Sequence, residues 1–255
     1  MNKKSLKILA GITFVSMVIV NVLANAIPIN NRTTGEISDT YLNLFAPAGL
    51  TFSIWGLIYV LFAGNILFQF TKNSKKTEAL LYMINPLFIA TSVANSMWIF
   101  SWHYDYIGLS VIIMAILLYL LVKIADILRG KHFTILEKLF IWVPYSVYFG
   151  WITVAAIANI TVFLVSIRWN RFGIADYVWT SIILLVGVLI GIIRMRKDKN
   201  IAYGLVLVWA YLGILFKHLS ASGFGGRYPS IIVTVIISLF LFGFFMGRML
   251  YKKIY

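Results

Sequence analysis

Residues 47–59 read PAGLTFSIWGLIY and open an apolar run that continues to about Phe70. A proline suits the start of a helix, because its missing N–H has no partner to lose in the first turn. Gly49 and Gly56 permit close backbone approach. Trp55 and Tyr59 stand one turn apart and so share a face. A helix this apolar, with aromatic side chains at its start, belongs in a bilayer.

Working outward, seven further runs of the same kind follow. The spans are expected at about 6–28, 48–70, 79–102, 107–128, 138–165, 177–194, 201–219 and 229–250. The chain is 61% hydrophobic and only 12% charged, with a mean hydropathy of +0.91. A soluble domain averages roughly 45–50% apolar and about 25% charged residues. The fold class is therefore an all-α integral membrane protein with eight transmembrane helices, since lipid leaves open backbone groups without partners. The first partner is the lipid bilayer. The chain has no cysteine, which excludes disulfides and thiolate chemistry.

The net charge of +14 is read through the loops rather than as a nucleic-acid footprint, so no nucleic-acid partner is expected. With the N-terminus in the cytoplasm, 17 of the 22 Lys and Arg fall inside, Lys252 and Lys253 among them. Arg32, Arg168, Arg171, Lys217 and Arg227 stay outside. Both termini are then cytoplasmic, in a multi-pass protein of a bacterial-type cell membrane. The first run has a basic start and an Ala24-Asn25-Ala26 site. Its apolar stretch exceeds that of most signal peptides, so it reads as a span. Asn31-Arg32-Thr33 fits a glycosylation acceptor pattern. The polar connection 29–46 is either a cap on the outer mouth of the bundle or a solvated linker.

Three stretches carry a family resemblance. Pro47, Trp55, Ile58 and Tyr59 sit at or near the spacing PPxWxFxPVWxxLY, with Gly49 and Ser53 where that pattern has Trp and Pro. Asn95 and Trp98 match LNxxW. Tyr148, Trp151 and Asn159, in YFGWITVAAIAN, match YLAWxxFAxxLN without a gap. The chain thus resembles the TspO/MBR family of tryptophan-rich sensory, translocator protein-like membrane proteins. The resemblance covers a five-helix body, residues 1–167, and leaves 168–255 as a three-helix extension. It implies that the body alone holds the binding region. The implied ligand is a planar lipophile such as a porphyrin or haem-type tetrapyrrole, in some members a sterol.

The residues point to one depth. Asn21, Asn25, Trp55, Tyr59, Asn95, Trp98, Trp151 and Asn159 fall in the outer half of four helices. On the fifth span Tyr148, Trp151, Ala155 and Asn159 follow i, i+3, i+7, i+11 along one face. An aromatic cavity with a few amides suits a flat, mostly apolar ligand. The same residues also suit interfacial belts and cross-helix amide bonds. Trp102 and Trp142 are assigned to the belts.

Other groups point elsewhere. Lys123 and Asp126 are expected to neutralise each other at i, i+3. His103, His132 and His218 form no metal-binding pattern, although His218 stays open as an axial haem ligand. Gly187–Gly191 and Gly243–Gly247 are GxxxG pairs, for packing inside the bundle or for a homodimer. No P-loop, dinucleotide fingerprint or GxSxG appears, which argues against an ATPase or a conventional hydrolase. Three functions remain: a ligand-binding sensor, a transporter of a small lipophile, and a light-dependent porphyrin-degrading enzyme.

Overall fold

A computed structural model describes residues 2–254, with side chains through Tyr251, so Lys252 and Lys253 lie outside the described side chains. Among the described residues, eight helices are long and apolar enough to cross a membrane. They are α1 (Lys3–Ala26), α2 (Gly49–Gln69), α3 (Lys75–His103), α4 (Ile107–Leu128), α5 (Ile135–Ser166), α6 (Asp176–Asp198), α7 (Ile201–Leu219) and α8 (Pro229–Tyr251). Their even number brings both ends of the chain to one face. We call this the terminal face and its opposite the cap face.

Local chemistry sets the helix ends. Asn2, Ser74 and Asn200 cap α1, α3 and α7 by accepting the backbone N–H three residues on. Thr134 and Glu137 form a capping box at the start of α5. Residues Lys138–Trp142 then widen into a π-turn just before Pro144. Pro144 offers no N–H to the Phe140 carbonyl one turn back. Asn65 of α2, fully buried, donates its Nδ2–H to that carbonyl instead.

Helix α5 is the centre of the molecule. Every residue from Pro144 to Val154 is buried, because α2, α4 and α7 all pack on it. That explains why this stretch is apolar all round rather than striped. Helix α3 packs between α1 and α4. Helix α8 lies on α6 and α7. The two GxxxG pairs part company here. Gly187 and Gly191 are buried in the bundle, where an added Cβ would meet Tyr211, Leu207 and Phe242. Gly243 and Gly247 face outward, with open space beside them.

On the terminal face, Lys7 of α1 bonds the Gln69 carbonyl and Glu78, joining α1, α2 and α3. Asp126 does not pair with Lys123. It pairs with Arg129 and Arg194, and both of these also hold Asp198. Lys123 instead lies over the Tyr119 ring, 5.2 Å from its centroid. Arg129, at the end of the same helix, and Arg194, on α6, outcompete the lysine, because a guanidinium can fork between two carboxylates.

The connection after α1 is a cap. A short helix, Thr34–Thr40, starts with a Thr33–Glu36 capping box and buries Ile37 completely. Leu44, Phe45 and Ala46 are buried behind it. Asn30 donates to the His103 carbonyl at 2.9 Å, and Arg32 pairs with Asp105. The His103 ring lies between the Ile29 carbonyl and the Thr34 hydroxyl, at 3.0 and 3.1 Å. The apolar residues of this stretch, scattered among polar ones, hold it down as a lid.

Candidate functional site

Beneath the cap lies a cleft between α2, α3, α4 and α5. Trp55 and Phe52 come from α2, Trp98 and Trp102 from α3, and Met114 from α4. Helix α5 contributes Trp151, Val154, Ala155, Ala158, Asn159 and Val162. Thr34, Ser38, Asn43, Ala46 and Pro47 of the cap segment close the mouth. The space is about 650 Å3, counted with its open mouth. Among the described residues, none of the lining side chains is charged.

The rings are ordered against one another. Trp98 stacks on Trp102 at 5.4 Å with 24° between the planes. Trp151 meets Phe52 edge-on at 5.7 Å and Trp55 edge-on at 6.3 Å. The Trp98 indole N–H donates to Asn159 Oδ1 at 2.8 Å, and Asn159 Nδ2 donates to the Ser110 hydroxyl at 2.9 Å. Asn159 is therefore spent on joining α3, α4 and α5. Trp102 donates to the Thr34 carbonyl at 3.2 Å. The Trp151 indole nitrogen is buried and has no hydrogen-bond partner among the described residues.

Five of the expected residues line the cleft: Trp55, Trp98, Trp151, Ala155 and Asn159. Tyr59 is half-buried and stacks on Trp55 at 5.7 Å, beside the cleft rather than in it. Tyr148, Asn95 and Asn21 form a deeper layer, closed off by the Trp55 ring, which meets Tyr148 edge-on at 5.9 Å. There Asn21 Nδ2 donates to Asn95 Oδ1 at 2.7 Å, tying α1 to α3. Asn25 is exposed and donates to the Asn21 carbonyl at 2.9 Å, on the outside of α1.

Two assignments change. Trp102 is no belt residue: it is 4% exposed and lines the cleft under the cap. Its spacing from Trp98, one turn on the same helix, was the available signal. His218 lies outside the cleft lining, and its Nε2 is taken by the Leu44 carbonyl at 2.9 Å. Trp142 stays half-buried near the terminal face, under Lys138. Of the cap segment only Pro47 belongs to a motif; Thr34, Ser38, Asn43, Ala46 and Phe52 carried none, and Met114 no signal beyond an apolar helix.

Arg32, Glu36 and Tyr41 of the cap lie outside the cleft lining. The hydrogen bond to Asp105 raises the Arg32 guanidinium above its ordinary value. Burial, with the Asp105 charge behind it, pushes the Tyr41 phenol up. Bonds from the Thr33 backbone and hydroxyl hold the Glu36 carboxyl below the usual range.

Fold and cleft together define a multi-pass, all-helical membrane protein with an aromatic cleft beneath a cap. The chain belongs to the family of TSPO-like proteins, whose family model matches residues 7–247. That match runs past the motif-bearing helices and into α8. Neither curated proteins nor solved structures give a match to this chain.

Proposed function

We propose that this protein binds a planar lipophilic ligand, such as a porphyrin-type tetrapyrrole, in the cleft beneath the cap. The observation that carries the reading is the unpaired Trp151 indole N–H in the wall of an uncharged aromatic cleft. A buried donor without a partner costs roughly 1–3 kcal/mol, so an acceptor on the ligand regains that energy. Flat indole and phenyl faces supply contact area for a ring system. The cap face is then the outer side and both termini are cytoplasmic, because the loops of the terminal face carry most of the Lys and Arg. Sensing, transport and light-driven breakdown of such a ligand all begin with this binding step.

The test is a titration of protoporphyrin into detergent-solubilised protein, read by quenching of tryptophan fluorescence. Saturable quenching that a bulky Ala155→Phe substitution weakens supports the reading. Quenching of equal affinity in that variant places the ligand elsewhere.

A further inference from the structure

The cleft's mouth is held from outside the motif-bearing body. One stripe of α7, at i, i+4, i+8 and i+9, grips residues 39–51. The Trp209 indole N–H donates to the Thr51 carbonyl at 2.9 Å. The Gly213 carbonyl accepts the Ala48 N–H at 3.1 Å. Lys217 pairs with Asp39 at 3.0 Å. His218, fully buried, donates its Nε2–H to the Leu44 carbonyl at 2.9 Å. Thr51 is packed so tightly against α7 that a Cβ on Gly213 would come within 2.0 Å of its Oγ1. The gripped segment carries Asn43, Ala46 and Pro47 of the lining, and runs directly into Phe52, which meets Trp151 edge-on.

We propose that α7 is a clamp on the mouth of the cleft, with Trp209, Gly213 and His218 as positioning residues for the ligand site. This rests on the reading of the cleft as a ligand site. It gives the C-terminal helices a role: they set how readily the mouth opens, and so how fast a ligand enters and leaves. It also revises the expectation that residues 1–167 suffice. Without α7, the Thr51 and Leu44 carbonyls and the Ala48 N–H lose their partners and the mouth segment loses its anchor.

The chain has no cysteine, so a single introduced thiol reports on the mouth. Ser38→Cys places it in the cleft lining. Its reaction with a water-soluble maleimide is timed in the full chain, in detergent. Trp209→Phe, which removes one hydrogen bond and keeps a ring, should speed labelling roughly fivefold. Gly213→Ala should speed it at least as much, and adding Thr51→Gly, which clears the clash, should return it towards the parent rate. Leu212→Ala, on the exposed side of α7, should leave it unchanged. Parent-like labelling in both Trp209→Phe and Gly213→Ala, at unchanged melting temperature, overturns the clamp. So does equal acceleration by Leu212→Ala. Protoporphyrin should also leave the clamp variants faster than the parent. If the parent binds no protoporphyrin, the ligand reading fails, and the thiol rates still decide the clamp.

Discussion

The indole N–H of Trp98 and the side-chain oxygen of Asn159 meet at 2.8 Å, across the gap between α3 and α5. Both residues line the cleft, and the bond fixes how its two main walls face each other. Asn159→Ala removes it together with the bond to Ser110, whose hydroxyl keeps the Ile107 carbonyl. Interhelical bonds in membranes average about 0.6 kcal/mol. The buried Trp98 N–H left unpaired should raise the loss to about 1–2 kcal/mol. The thermal midpoint in detergent should fall. A midpoint equal to that of the parent would show that the walls hold without this bond.

Trp151→Leu should weaken protoporphyrin binding. Aromatic contacts contribute about 0.5–1.5 kcal/mol beyond their area, which is roughly a twofold to tenfold change in affinity. Trp142→Leu, near the terminal face, should leave the affinity unchanged. Equal losses from the two substitutions would remove the ligand from this cleft. Trp151→Phe separates stacking from the unpaired N–H, and should fall between parent and leucine variant.

The charge cluster on the terminal face is graded by burial. Asp198 has a side-chain exposure of 5%, against 40% for Asp126. Asp198→Asn should therefore destabilise the protein more than Asp126→Asn. Exposed pairs contribute about 0–1 kcal/mol and lose most of that in salt. Denaturation of both variants at low and high salt checks the order. Equal losses would mean that solvent screens the two carboxylates alike.

Pro144 and Asn65 should be coupled. Asn65→Leu leaves the Phe140 carbonyl without its side-chain donor. Pro144→Ala restores a backbone N–H within reach of the same carbonyl. The cost of Asn65→Leu should shrink in the Pro144→Ala background, as a double-mutant cycle measures. Additive effects would mean that the π-turn has some other cause.

Orientation is open to reporter fusions. Insertions in the loops 71–77 and 195–200 should report cytoplasm, because these loops are basic. An external report from either would invert or break the assignment.

Hydropathy alone decides the helices of this chain. Runs of about 20 apolar residues have no other stable form in lipid, so the eight spans were legible. Trp55, Trp98, Trp151 and Asn159 were legible as well, through motif spacing and helical phase. The partners were not. Asp126 stands three residues from both Lys123 and Arg129, and nothing local reveals that Arg194, on another helix, joins the pair. Asn25 follows Asn21 by one turn, yet it faces out, because α1 is covered on one side only. Trp102 suited a belt until the cap folded over it. The choice of cap over linker for residues 29–46, and the α7 stripe, belong to the tertiary structure. The α7 bonds to Thr51, Ala48 and Leu44 run to backbone carbonyls and an N–H, which every residue carries alike, and the pairs Lys217–Asp39 and Arg32–Asp105 join residues far apart in the chain, so no local side-chain pattern announces them.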